Sequence, residues 1–122
     1  MHEPSDFKLV GLIGGCWAAP DIDQQPLVRL KCWQVFELDN GDHLVGWHDA
    51  AGEGRVSSPL QALDAMRRQA LTRSGRVYEV CGPEGCNVEG LYVWHAWLRA
   101  TVRERATDVT QTFVRRIEEC RP

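Results

Sequence analysis

The chain has 122 residues, the length of a single domain, and its composition of 43% hydrophobic and 25% charged residues is typical of a globular protein. A net charge of −3 excludes a strong basic field around the whole molecule, and no segment is apolar over a length that could cross a membrane. We therefore expect one domain over residues 1–122, with residues 1–6 disordered.

The first part of the chain predicts two strands separated by a loop. Residues 7–13 are apolar and end at Gly14-Gly15, which is typical of a strand that stops at a bend. Residues 18–25 contain a proline and several acidic side chains, so they indicate a loop. Residues 27–38 then predict the second strand.

A turn follows this second strand. Asn40-Gly41 stands between two apolar runs, and this dipeptide suits a two-residue turn in which both residues have positive φ. The turn predicts a hairpin in which Phe36 faces Val45 and Gln34 faces Trp47. The alternation along the second arm places His43 and His48 on opposite faces of the sheet.

Residues 58–73 admit two interpretations. The local pattern favours a helix, because Ser58 can cap it and the apolar side chains recur at helical spacing. The alternative is a pair of strands over residues 55–63 and 67–73, joined by a turn near Asp64.

A second hairpin is predicted at Ser74-Gly75. Its register would place Thr72 opposite Val77. The strand over residues 76–81 should end at Gly82-Pro83, because proline cannot continue a hydrogen-bonded ladder.

The last third of the chain predicts helices. Asn87 can cap a helix that begins at Val88, and Asp108 with Gln111 resembles the capping box of a second helix. The apolar stripe of the first helix comprises Leu91, Trp94, Leu98 and Val102, and that of the second comprises Val109, Phe113, Ile117 and Cys120.

A series of short motifs resembles a known family. The motifs are Gly46-Trp47, Gly54-Arg55-Val56-Ser57-Ser58, Leu63-Asp64, Thr72-Arg73-Ser74-Gly75-Arg76-Val77-Tyr78, Gly82-Pro83-Glu84-Gly85 and Tyr92-Val93-Trp94. Their order resembles small uncharacterised bacterial proteins carried by mobile elements such as integron gene cassettes and plasmids. That resemblance implies strands before Thr72 and a helix after Gly85, and it implies no activity. Ala65 departs from the pattern, which often has proline at this position. We follow the strand interpretation for residues 58–73.

Charge is unevenly divided along the chain. Residues 1–54 carry nine acidic and three basic side chains, whereas residues 55–122 carry eleven arginines and eight acidic side chains. An arginine-rich half can face phosphates or an acidic protein surface. A chain with an acidic and a basic half is also compatible with a homodimer.

The candidate binding residues lie in the arginine-rich half and among the aromatic residues. Arg55, Arg73 and Arg76 stand close in sequence to the hydroxyl groups of Ser57, Ser58, Thr72 and Ser74, as in an anion-binding or nucleic-acid-binding surface. Trp47, Tyr78 and Trp94 are candidate contact residues for a protein or stacking residues for a nucleic acid. The alternative interpretation of the arginines is pairing with acidic side chains of the same domain.

Catalytic and metal-binding signals are weak. Cys81 and Cys86 flank a glycine-proline turn and could hold a metal, but zinc needs two further ligands that the sequence does not place nearby. His95 or a cysteine could serve a small enzyme. The odd number of five cysteines indicates free thiols and a cytoplasmic protein.

The sequence therefore predicts an α+β domain, in which an antiparallel twisted sheet or small barrel packs against one or two C-terminal helices. Its predicted function is a non-enzymatic module that binds another protein or a second copy of itself. Nucleic-acid binding and a small enzyme remain alternatives, and we expect no cofactor.

Overall fold

The computed structural model describes residues 26–101 and 106–120, and within these ranges the chain forms seven strands and two helices. The strands are β1 (Leu27–Leu38), β2 (Gly41–His48), β3 (Glu53–Val56), β4 (Leu60–Asp64), β5 (Gln69–Thr72), β6 (Val77–Val80) and β7 (Thr107–Asp108). The helices are α1 (Val88–Ala100) and α2 (Thr110–Glu119). The α+β class is confirmed. The strand predicted at residues 7–13 and the loop at 18–25 lie outside the described residues.

The strands form one mixed sheet in the order β3-β2-β1-β6-β5-β4, and β7 pairs with β1. Most neighbours are antiparallel, as predicted, but β1 and β6 are parallel. The sheet is twisted and does not close, so the barrel alternative is wrong. β6 covers the first part of one edge of β1 and β7 covers the last part.

The sheet is strongly curled, because its two outermost strands follow each other in sequence. Only residues 57–59 separate β3 from β4, and such a link spans at most about 14 Å. In a flat sheet of six strands the two outer strands would be roughly 24 Å apart. The curl therefore brings the edges together and gives the sheet a concave inner face.

Residues 58–73 form strands, so the helix interpretation is wrong. β4 and β5 pair as an antiparallel hairpin across a turn at residues 65–68. The local pattern predicted a helix because few positions of these strands need to be apolar. β5 is covered on one face only, and β4 lies at the sheet edge. The apolar residues are therefore widely spaced, and this spacing also fits a helix.

The first predicted hairpin is confirmed, but its register differs by two residues. Phe36 pairs with His43 rather than Val45, because the two turn residues are Asp39 and Asn40. Strand β2 already begins at the next residue, Gly41, which has φ of 129°. Since side chains alternate with a period of two, a shift of two residues leaves the side chains of residues 34–38 and 41–48 on their predicted faces.

The second hairpin has a three-residue loop, and here the predicted register is wrong by one. Leu71 pairs with Val77, while the amide of Gly75 donates to Thr72 O at 2.9 Å. Gly75 has φ of 96°, a conformation that favours glycine in a loop of this length.

A bulge in β1 changes which side chains face inward. The register of β1 against β2 shifts between Lys31 and Gln34, and Cys32 within the shift has φ of 48°. Leu30 before the bulge and Trp33 after it therefore both lie in the inner core, although they are three residues apart.

Two cores lie on opposite faces of the sheet. The inner core joins β1, β2, β5 and β6 to Phe113 and Ile117 of α2. The outer core joins Leu38 and Val45 to α1 through Trp94, Trp97 and their neighbours. α2 thus covers the concave face, and α1 covers the outer face over β2 and β3.

Both predicted helices are confirmed, with different caps, and Val102 of the first predicted stripe lies outside the described residues. The Asn87 side chain accepts a hydrogen bond from Gly90 N at 2.7 Å, as an N-cap should. Asp108 accepts from Thr110 N at 2.9 Å, but Gln111 donates to Glu84 instead of completing a capping box.

Candidate functional site

The predicted polar cluster exists, and it lies where the two edges of the sheet meet. Ser58 Oγ donates to Ser74 Oγ at 3.1 Å, and Ser74 Oγ is also 3.1 Å from Thr72 Oγ1. The Ser57 hydroxyl accepts from Leu44 N at 2.9 Å. All four hydroxyl residues are buried, and the Ser58–Ser74 hydrogen bond holds the segment between β3 and β4 against the β5–β6 loop.

Arg55 and Arg76 are also buried, only 5% and 2% exposed, so neither lies on an open contact surface. Arg55 Nη1 donates to Glu53 Oε2 at 3.2 Å and lies 3.3 Å from His48 Nδ1. Within the described ranges, Arg55 Nη2 is buried without a hydrogen-bond partner.

His48 is suited to accept a hydrogen bond from Arg55. Burial lowers the pKa of His48 below its ordinary value, and the charges of Arg55 and Arg76 lower the pKa further. The neutral imidazole is therefore favoured, and its Nδ1 can accept from the guanidinium.

Arg73 is the third predicted arginine, and it is half-buried. Its Nη2 donates to Asn40 O at 2.9 Å, and its amide donates to Pro59 O at 2.8 Å. Arg73 therefore connects the β5–β6 loop to the β1–β2 turn, and the three arginines do not present a common open face.

The predicted contact aromatics have mainly structural roles. Tyr78 and Trp94 are 2% and 1% exposed and belong to the inner and outer cores. Trp47 is half-buried and donates from Nε1 to Asp49 Oδ1 at 3.2 Å. Of these three aromatic side chains, Trp47 alone is partly accessible.

The histidines of β2 lie on opposite faces, as predicted. His43 is buried beside the rings of Trp94 and Trp97, at centroid distances of 5.7 and 5.2 Å. Its Nδ1 lies 2.8 Å from Ser57 O, which can only accept, so Nδ1 carries a hydrogen. Both ring nitrogens of His43 have partners, so the ring has a structural role.

Among the described residues, the thiols and imidazoles do not converge, except that Cys81 and His48 line one cavity of about 270 Å³. Cys81 is half-buried after β6, whereas Cys86 and His95 are exposed. Burial and the nearby charge of Glu79 raise the pKa of Cys81, which disfavours the reactive thiolate. Across residues 26–101 and 106–120, no three His, Cys, Asp or Glu side chains converge as metal ligands.

A comparison of the chain with protein-family models, curated proteins and solved structures finds no match. In the part of the chain that the structure describes, no helix has the length and apolar character needed to span a membrane.

The most exposed apolar side chains of α1 were missed by the sequence analysis. Val88 and Tyr92 are 78% and 68% exposed and lie one turn apart on the helix. His95 and Arg99, also exposed, continue the same stripe toward the end of α1. We call these four residues the helix patch. They occupy positions i, i+4, i+7 and i+11, opposite the buried Trp94 stripe, and this spacing was available in the sequence.

Close contact with the sheet fixes the orientation of the helix patch. A Cβ placed on Gly90 would lie 2.9 Å from Gly46 O, and one on Gly54 would lie 2.5 Å from the Glu89 backbone. Glycine at these positions lets the backbone of α1 touch β2 and β3 directly. α1 is therefore seated on the sheet with the helix patch facing away from it.

Proposed function

We propose that the protein is a non-enzymatic interaction module that binds another protein through the helix patch. The observation that carries this proposal is the pair Val88 and Tyr92, two large apolar side chains that stay exposed on a well-packed helix. Tyrosine is enriched where proteins meet, because it offers a large apolar ring and a polar hydroxyl.

The shape of the patch favours a concave partner. α1 has 13 residues and is about 20 Å long, and its exposed face is convex. A helix buries much more of its surface in a groove than against the convex face of another helix. A stable interface needs about 800 Å² from each partner, which two such helices alone do not supply. A grooved partner therefore fits better than a second copy.

The charges of α1 suggest the polarity of that groove. Glu89 lies in the first turn and Arg99 in the last turn. The partner should offer an apolar floor to Val88 and Tyr92 and acidic or carbonyl groups near Arg99.

Other observations support a cellular location and a genetic origin for this module. The four cysteines in the described part of the chain are unpaired, which supports a cytoplasmic location. The motif resemblance supports an origin as mobile-element cargo. The buried positions of Arg55 and Arg76 give no support to the alternative of nucleic-acid binding.

Site-specific cross-linking in the native host tests the proposal. A photoreactive phenylalanine analogue replaces Tyr92, and in a matched protein it replaces Leu71, which is 39% exposed on the sheet. We expect a discrete adduct from position 92 that is absent from position 71 and is lost when Val88→Asp is added.

The possible outcomes discriminate between partners. An adduct with a different protein at position 92 supports the proposal, and an adduct of twice the mass of the chain replaces the grooved partner with a second copy. The proposal fails if position 92 gives no adduct or if both positions give the same one.

A further inference from the structure

A cavity lies between α2 and the loop after β6. It has a volume of about 440 Å³, within the range of small-molecule sites. Its lining consists of Trp33, Arg68, Gly82, Pro83, Glu84, Val114, Ile117 and Glu118. We call it the Trp33 cavity.

The apolar part of the cavity is rigid. Trp33 and Ile117 are inner-core residues, and Val114 packs against the same core. Trp33 Nε1 donates to Gly82 O at 3.1 Å, which fixes the indole against the loop. Trp33 and Ile117 are 1% and 3% exposed, so they form the floor of the cavity, and Val114 is partly accessible beside them.

Arg68 supplies a positioned cation. Its backbone has φ of 57°, in the left-handed region that non-glycine residues seldom occupy. Nε donates to Val80 O at 3.1 Å and Nη2 donates to Gly82 O at 2.7 Å. These are the hydrogen bonds of the guanidinium to the described residues, so Nη1 remains able to bind a carboxylate.

Two carboxylates line the same cavity. Glu84 accepts from Gln111 Nε2 at 3.2 Å, which holds the loop to α2. The Glu118 carboxylate is exposed and has neither a hydrogen bond nor an ion pair with another described residue. Among the described side chains, no ion pair within 4.0 Å joins Arg68 to either carboxylate. The cavity thus offers a cation and two anions that do not neutralise one another.

We propose that the Trp33 cavity binds a free α-amino acid with a large apolar side chain. Arg68 binds the ligand carboxylate, Glu84 and Glu118 bind its ammonium group, and Pro83 and Val114 contact its side chain above the Trp33 floor. A ligand with one charge would leave one sign of the cavity without a partner, and a small zwitterion would leave the apolar surface open.

The purified full-length protein tests this proposal by NMR titration. The reporter is the indole N–H signal of Trp33, assigned by its loss in Trp33→Phe. The ligands are L-phenylalanine, 3-phenylpropionate, which lacks the amine, phenethylamine, which lacks the carboxylate, and glycine, which lacks the side chain. We expect L-phenylalanine to shift the signal saturably, and the other three to bind about tenfold more weakly or not at all.

Matched variants locate the ligand. Glu118→Gln keeps the shape of an exposed side chain and should weaken L-phenylalanine binding about threefold, as loss of one exposed ion pair does. Glu119→Gln, the neighbouring exposed carboxylate outside the cavity, should leave binding unchanged.

Three results would each overturn the proposal. One is a Trp33 signal that no ligand moves at millimolar concentration. Another is equal binding of phenethylamine or 3-phenylpropionate, since the cavity would then not read both charges. The third is equal weakening by Glu118→Gln and Glu119→Gln.

Discussion

At the scale of single residues, the interior of the curled sheet contains polar groups with defined partners. Arg55 brings a positive charge into this interior and uses Nη1 for Glu53 and His48, while Nη2 is buried without a partner among the described residues. A buried charge with an unsatisfied hydrogen-bond donor lowers the stability of the folded state, so stability alone does not account for an arginine at position 55.

Replacing Arg55 with methionine separates its structural and electrostatic effects. We expect Arg55→Met to change the free energy of unfolding by less than about 1 kcal/mol, because methionine fills similar space and removes the unmet donor. The pKa of His48 should rise toward its ordinary value, because the Arg55 charge lowers it, although burial will still keep the pKa low. NMR titration of His48 and urea unfolding measure the two effects. An unchanged or lower His48 pKa would contradict the assignment.

Ser57 is predicted to contribute more to stability than its size suggests. Ser57→Ala removes the acceptor of the buried Leu44 amide, and an unsatisfied buried donor costs about 1–3 kcal/mol. Thr112→Ala, at an exposed helix position, should stay within about 0.5 kcal/mol of the wild type. Urea unfolding of both variants checks the difference, and equal effects would exclude a special role for Ser57.

At the scale of elements, α1 is seated on the sheet through Gly54 and Gly90, and Gly90 packs against the backbone of a third glycine, Gly46. Gly46 and Gly54 lie on neighbouring strands, and Gly90 lies in the first turn of α1. Their spacing in sequence has no helical or strand period, so their common role becomes visible only when the helix docks.

The variant Gly90→Ala sets helix propensity against packing. Alanine in a helix interior is favoured over glycine by about 1 kcal/mol, so an isolated helix would gain stability. Here the added Cβ would lie 2.9 Å from a backbone oxygen that cannot rotate away, and overpacking of this kind costs about 1–3 kcal/mol. We expect a net loss, measured by thermal unfolding, with Glu89→Gln as a nearly neutral control. A gain in stability for Gly90→Ala would show that α1 is not seated as described.

At the scale of the whole molecule, burial of His48 couples stability to pH. The pKa of His48 is lowered from 6.5 in the folded protein, mainly by burial, so the unfolded chain binds the proton more readily. The contribution of His48 to stability is therefore complete above pH 6.5 and is lost as the pH falls toward the lowered value. Asp49 does not contribute in this window, because its pKa is lowered from 3.8 by the Lys31 hydrogen bond.

Urea unfolding at about pH 7.5 and about pH 5.5 tests this coupling. We expect the wild type to lose more stability than His48→Gln between the two values, since glutamine does not titrate. An equal loss in both proteins would assign the pH dependence to another group.

The local features of the fold were readable from the chain. The bounds of β1, the reversals near Asn40 and Gly75 and the cap at Asn87 depend on backbone conformations that neighbouring residues set. The exact strand registers of the two hairpins could not be predicted from the sequence. A turn can begin one or two residues earlier with little change in its local free energy. The exposed stripe of α1 was also present in the periodicity, as the complement of the buried Trp94 face.

The sequence by itself determined the α+β class, the reversals near Asn40 and Gly75 and both helices, since these follow from periodicity, turn residues and caps over short distances. Only the tertiary structure decided that Arg55, Arg76 and Tyr78 are buried. It also decided the parallel pairing of β1 with β6 and the cavity beside Trp33. Burial depends on which distant segments meet across a curled sheet, and no local pattern of residue types contains that information.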